Sequence, residues 1–380
     1  MKQTRHSIRG KASSTCRVRG GAACRVRGAA RTYADAVLTK AEPADDRGVR
    51  TAVVGRVGHL QLNRPRTINA LDQAMVSVLS ARLADWRHDD RVHTIVITGA
   101  GDRGLCSGGN VRAVRDAVVR GDLATAQRYW REEYELDAVI AGYPKPVVAV
   151  MDGLVMGGGL GLACFAGTRL VTERTRIAMP ETIIGFFPDV GVTSPLSRAP
   201  GRTGPHLVMT GTAVDGADAI ALGLADAMID SADRDQVVDR LATGESLDPL
   251  HRTVPPSALM AARSWIDPCY AGDDPVAVVE RLRAHPDPAA QQAVADISAR
   301  SPLSVWLALT AIGRAGRLAS LAEVLEQDRR LSERLAPYRD LVEGVRAQLI
   351  DRDRTPRWQH AGLTDVDPDQ VTAMFAQTAH

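Results

Sequence analysis

The chain has 380 residues, 45% hydrophobic and 24% charged, with a formal net charge of +2. That length allows one or two globular units with a large core, and the 4% aromatic content offers no stacking platform for bases or sugars. The balanced charge argues against a nucleic-acid footprint, and no run approaches the roughly 18 apolar residues of a membrane span.

Residues 1–48 lack hydrophobic periodicity, and the first 34 residues carry nine Lys or Arg and no acid. This is the composition of a transit peptide. It has no clear amphipathic repeat, however, and it reads Cys-Arg-Val-Arg-Gly twice, so a disordered or mis-started extension is the preferred reading. The five cysteines (Cys16, Cys24, Cys106, Cys164 and Cys269) form no C-x-x-C pair, which points to a reducing compartment. A cytoplasmic protein is therefore expected, with the mitochondrial matrix as the alternative. The histidines show no ligand spacing, so no metal or redox cofactor is expected.

Ordered sequence begins near Val53, where two short strands flank Gly55 to Gly58. Leu71, Met75, Val78, Leu79 and Leu83 predict an amphipathic helix over Asn69 to Trp86. The β-branched run from His93 to Thr98 predicts a strand covered on both faces, ended by Gly99, Gly101 and Gly104. A helix from Val111 to about Ala141 follows, then a buried strand Val147 to Met151, a glycine-rich turn, a short helix and a strand Arg169 to Thr172. Strand, glycine turn and helix recur, which argues an α/β fold of ββα or βαβ units over 49–235. Helices are expected at Ala213 to Gly223, Pro275 to Ala284, Ala289 to Arg300 and Pro302 to Leu335. The Pro-rich, polar stretch Val237 to Trp265 reads as the hinge to a helical region over 236–380.

Three segments offer chemistry. Met156-Gly-Gly-Gly-Leu-Gly161 and Leu105-Cys-Ser-Gly-Gly-Asn110 each follow a strand and precede a helix. Glycines there let backbone amides approach a ligand oxygen, although tight packing alone explains such turns equally well. Glu181 and Asp189 each follow a proline among apolar residues, where desolvation suits a general base, general acid or nucleophile; a helix N-cap is the plainer alternative. Glu132 and Glu133 lie on a predicted helix whose bland reading is a solvated charged face.

Leu62-Asn-Arg-Pro65 with Asn69-Ala-Leu71, Ser107-Gly-Gly109, Lys145-Pro146 with Asp152-Gly153, and Met156-Gly-Gly-Gly159 occur in the order seen in the crotonase (enoyl-CoA hydratase/isomerase) superfamily, which the chain resembles. Arg131-Glu-Glu-Tyr134, Met179-Pro-Glu-Thr182, Gly185-Phe-Phe-Pro-Asp-Val-Gly191 and the tail motifs Ser301-Pro-Leu-Ser304 and Pro356-Arg-Trp358 resemble its 3-hydroxyisobutyryl-CoA hydrolase branch. The resemblance implies a crotonase-like spiral of ββα repeats with a helical C-terminal region. It implies hydrolysis of a short branched 3-hydroxyacyl-CoA in valine catabolism, with coenzyme A arriving as part of the substrate and a homo-oligomer as one assembly. It implies that the amides of Ser107 and Gly158 form an oxyanion hole and that Glu133, Gly158, Glu181 and Asp189 line the acyl site. Glu181 and Asp189 would act in hydrolysis, and Arg66 and Ile68 would lie beside the adenine.

Hydratases of the superfamily place a second glutamate where this chain has Gly161, which disfavours water addition to a double bond. Hydratase or isomerase chemistry and a non-catalytic acyl-CoA binder remain the alternatives. Departures from the branch are Ser107 for Ala, Asn110 for Asp and Asp137 for Asn. The stretch Thr193-Ser-Pro-Leu196 is expected to reshape the acyl pocket.

Overall fold

The computed structural model describes residues 48–376; the basic extension, save Gly48, lies outside the described residues. A seven-stranded sheet runs in the order β1 (Val49–Val54), β2 (Val57–Leu62), β3 (Thr94–Gly99), β5 (Val147–Met151), β7 (Thr168–Thr172), β10 (Ala227–Ile229) and β11 (His251–Arg252). Its inner neighbours β2, β3, β5, β7 and β10 pair in parallel, while β1 and β11 close the edges antiparallel. A second sheet contains β4 (Gly104–Cys106), β6 (Leu154–Met156), β8 (Arg176–Ala178) and β9 (Val214–Asp215). Strands β3, β5 and β7 are each followed by a three-residue partner in the second sheet, which is the ββα repeat of the expected crotonase-like fold.

The β-branched runs work as two-faced strands. Ile95 and Ile97 of β3 face the main core, whereas Val96 joins Val54, Val57, Val148, Val150 and Val238 in a smaller core behind the sheet. Period-two alternation accounts for this split, and a parallel strand apolar on both faces fits nowhere else. Helix α1 (Gln73–Trp86) starts where the Asp72 carboxylate accepts from Met75 N–H at 3.0 Å, and it buries Met75, Leu79 and Leu83.

The long helix expected from Val111 is two helices, α2 (Val111–Val119) and α3 (Leu123–Ala141). Gly121 at φ +76° turns the chain, and Asp122 recaps it by accepting from Thr125 N–H at 3.1 Å. The helix expected over Pro302 to Leu335 likewise divides into Pro302–Ala315 and Leu321–Leu335, the second capped by Ser320. Helix α4 (Gly158–Cys164) follows β6 directly. Within 236–252, the helix Gln236–Thr243 packs on β1 and β2, and β11 pairs with β10.

The motif residues of the first repeats hold loops. The Asn69 amide donates to the carbonyls of Ala100, Gly104 and Leu105, each at 3.1 Å. Lys145 Nζ donates to the carbonyls of Trp86 and Asp89. Asp152 accepts from Thr172 and pairs with Arg174 and Arg234.

The C-terminal helices brace the segment from Glu181 to Asp189. Ser301 N–H donates to Thr182 O at 3.1 Å, and Gly191 N–H donates to the Asp328 carboxylate at 2.8 Å. The helix Arg339–Val345 packs against the 3-10 turn Glu181–Ile184. No helix among the described residues is long and apolar enough to cross a membrane.

Candidate active site

A cavity of about 710 Å³ opens between the glycine turns, α3 and the C-terminal helices. Ser107, Gly158, Glu133, Glu181, Asp189, Arg66 and Ile68 all line it. Glu133 projects from α3 and is 3% exposed, so its face of the helix is not the solvated one; Glu132, beside it, reaches Gln73. Glu181 opens the 3-10 turn after Pro180, and Asp189 lies in the loop beyond it. Neither serves as a helix cap: the Asp189 carboxylate accepts from Tyr134 O–H at 2.7 Å, and Glu181 Oε2 has no partner among the described residues.

The glycine turns make room for these acids. A Cβ on Gly157, which sits at φ +47°, would lie 2.7 Å from Glu181 Oε1. A Cβ on Gly158 would collide with Glu133 Oε1, and one on Gly109 would lie 2.6 Å from Tyr129 O–H. Tyr129 in turn donates to Glu133 Oε1 at 3.1 Å. The missing side chains therefore let the backbone approach the carboxyls at Gly157 and Gly158 and the Tyr129 hydroxyl at Gly109.

One expected donor is corrected. The Ser107 amide donates to Ile68 O at 2.8 Å and its hydroxyl to Thr67 O at 2.9 Å, so neither is aimed at a ligand. Ile68 and Asn69 lie at φ +49° and +55°, and this left-handed turn brings the Ile68 carbonyl to Ser107. Among the described residues, the cavity-lining amides without a backbone partner include those of Gly109 and Gly158.

Burial without a cation governs the protonation of the acids. It pushes Glu133 up to about 8, with the charge of Asp189 adding to the effect and the Tyr129 hydrogen bond opposing it. It pushes Asp189 up to about 7 against the Tyr134 hydrogen bond. Glu181 rises well above the usual carboxylate range through burial and the charge of Asp189. Asp137, one turn beyond Glu133, is fully buried and is raised well above its usual range by burial and then by Glu133. Unlike Glu133, it does not line the cavity.

The stability consequence has an unusual sign. A carboxyl raised in the folded state stabilises the fold below its unfolded value, and that contribution is lost as pH rises to the folded value. For Glu133 the window runs from 4.5 to about 8. Glu133→Gln, which keeps an acceptor for Tyr129, is expected to raise the melting temperature more at pH 8.5 than at pH 5. Equal shifts at both pH values would show that Glu133 is not held protonated.

Apolar walls enclose the acids. Trp130 and Phe186 stack with ring centroids 5.2 Å apart and an 8° interplanar angle. The Thr193-Ser-Pro-Leu196 stretch forms a short buried helix against Pro302–Ala315 and does not line the cavity, contrary to expectation.

A sheet of ββα repeats whose glycine turns face buried carboxyls defines the class. Residues 57–375 match the enoyl-CoA hydratase/isomerase family, and the chain belongs to that family. Among its relatives, the mitochondrial 3-hydroxyisobutyryl-CoA hydrolase of Gallus gallus is 35% identical over 84% of this chain and 86% of its own. The Homo sapiens protein of the same name is 32% identical with the same coverage. These relatives are mitochondrial by name, which overturns the cytoplasmic location expected from the sequence. A crystal structure of a carnitinyl-CoA dehydratase from Mycobacterium thermoresistibile is 44% identical, with a TM-score of 0.84 over 87% of this chain and 97% of that one. An enoyl-CoA hydratase structure from Rhodobacter sphaeroides is 38% identical, with a TM-score of 0.83 over the same shares.

Proposed function

We propose that the protein is an acyl-CoA thioester hydrolase acting on a short branched 3-hydroxyacyl-CoA, with 3-hydroxyisobutyryl-CoA as the favoured substrate and valine catabolism as its setting. The observation that carries this reading is the placement of Glu181 against Gly157 and of Glu133 against Gly158, beside the unpartnered amides of Gly109 and Gly158. Those two amides are suited to a thioester oxygen as it gains charge, and the loss of one such donor typically costs about 3–4 kcal/mol of transition-state stabilisation. Glu181 in its ionised form attacks the carbonyl carbon or takes a proton from the attacking water. By attack, the C–S bond breaks to leave an acyl–Glu181 anhydride that water cleaves, restoring the carboxylate. By the base route, water adds to the carbonyl and the C–S bond breaks directly. In either case water supplies the oxygen of the acid product and the proton that the departing thiolate ends up with. Asp189, oriented by Tyr134, holds the substrate hydroxyl or assists proton transfer. Coenzyme A enters and leaves as part of the substrate.

The 44% identity to a structure described as a dehydratase favours a second reading, lyase chemistry on an enoyl-CoA. Against it stands the close packing at Gly161. A Cβ there would lie 2.7 and 2.8 Å from the two Asp137 carboxyl oxygens, and neither Gly161 nor Asp137 lines the cavity, so helix α4 presents no second carboxylate to it.

Thiol release from (S)-3-hydroxyisobutyryl-CoA, measured beside a panel of short acyl-CoAs, tests the proposal. Release with that substrate supports it. A change in enoyl absorbance without thiol release from any thioester would replace it with the lyase.

A further inference from the structure

A second cavity, of about 240 Å³, lies on the face of the seven-stranded sheet that carries the smaller core, and it shares no lining residue with the first. Period-two alternation puts polar residues there. Arg50 shares a face with Ala52 and Val54, His59 and Gln61 with Val57, and Thr98 with Val96. The sheet register sets Gln61 beside both Arg50 and Thr98. The helix Gln236–Thr243 packs over β1 and β2, with Val238 in the cavity wall, and the cavity reaches the surface at exposed Asp235.

The acceptors in this wall are committed, whereas its donors are not. Asp152 is held by Arg174 and Arg234, and Asp235 by Arg234, so two carboxylates meet two guanidiniums. Gly101 O accepts from Arg234 at 2.8 Å, and the Asn69 amide holds the carbonyls of Ala100, Gly104 and Leu105. Arg50 has no carboxylate partner among the described residues; it reaches Gln61 Oε1 at 3.5 Å, and the Gln61 amide nitrogen has no partner there either. His59 is 3% exposed, its Nε2 lies 2.7 Å from the Thr98 hydroxyl, and its Nδ1 has no partner. Burial lowers its pKa to about 4, so the ring is neutral, and with Nε2 accepting from Thr98 the proton sits on Nδ1. One uncompensated guanidinium, one amide and one buried ring N–H are thus gathered around a small space with no free acceptor to match them.

We infer that this cavity is a second binding site, for a short-chain monocarboxylate whose oxygens meet Arg50, Gln61 and His59. The single surplus positive charge suits a monoanion, and a guanidinium offers paired donors in the plane of a carboxylate. A water occupies about 30 Å³ of liquid, so the space suits an acid of a few carbons and is far too small for a coenzyme A thioester. The assignment does not depend on the hydrolase reading, although the acid that reaction would release belongs to this class.

Titration calorimetry of the full chain with isobutyrate tests it. A saturable site is expected, weakened about tenfold in Arg50→Ala, as loss of a charge-assisted hydrogen bond predicts. Arg50→Lys should recover part of the affinity, and Glu181→Gln, in the first cavity, should leave the Arg50-dependent binding unchanged. In the wild type the ring-nitrogen resonances of His59 should shift along the same saturation curve, a readout independent of any variant's folding. Equal affinity in the wild type and Arg50→Ala, or His59 resonances that stay fixed at saturation, overturns the inference. Inorganic phosphate that binds this site more tightly than isobutyrate would overturn the carboxylate assignment.

Discussion

Replacing Glu181 with Gln is expected to lower kcat for thioester hydrolysis by about 10²- to 10⁴-fold, the usual contribution of a positioned proton-transfer group or nucleophile. The amide is nearly isosteric beside Gly157, so the loss reports chemistry rather than packing, and calorimetric affinity for coenzyme A should stay close to that of the wild type. The reaction should also follow a defined pH profile. Burial and the charge of Asp189 raise Glu181, and its reactive form is the carboxylate, so kcat/KM should climb with pH as the cluster ionises. Asp189 rises to about 7 and Glu133 to about 8, which places part of the climb in that interval. Asp189→Asn removes a like charge and should move the acidic limb to lower pH. A Glu181→Gln variant with full activity, or a flat profile in the wild type, would remove Glu181 from the reaction.

The second large effect is structural. Gly344 lies inside the helix Arg339–Val345, where alanine would ordinarily add about 0.5–1 kcal/mol of stability. Here a Cβ would strike the Ile184 carbonyl and lie 2.6 Å from its Cα. Gly185, at φ +73°, is pressed in the same way against the Asp340 carbonyl. Gly344→Ala should therefore destabilise the protein, by about 1–3 kcal/mol if the backbone yields as an overpacked core does. It should also lower kcat, because the 3-10 turn that must move carries Glu181. Thermal unfolding reads the sign directly: a melting temperature equal to or above that of the wild type would mean that the two segments are not locked together.

Much of this architecture was legible because its signals are local. The runs around Ile95 and Val148 allow little but buried strands, and prolines beside Glu181 and Asp189 among apolar residues marked both acids. The helix breaks are local signals as well. Gly121-Asp122 is a stop followed by a cap, and Ser320 with Glu323 forms a cap in which Ala319 N–H donates to the Glu323 carboxylate. Strands β4, β6 and β8 were not legible, since three residues give no periodicity. The partner of the Ser107 amide was hidden for a different reason: it depends on a left-handed turn at Ile68 and Asn69, some 40 residues earlier, where neither residue type demands that conformation. The bracing of the Glu181 turn by the tail likewise rests on contacts between distant residues.

That bracing sets an order of events for a chain being made from its N-terminus. All three cavity acids have been synthesised once residue 189 is in place, yet the turn that aims Glu181 leans on residues 301 and 344, and the loop just after Asp189 on residue 328. The glycine-turn core can collapse early around its parallel strands, whereas the reacting geometry waits for the last helices to dock. Until those helices dock, acids without cations stand at the edge of a half-built core, so the C-terminal helices act as the closing stone that sets the finished site.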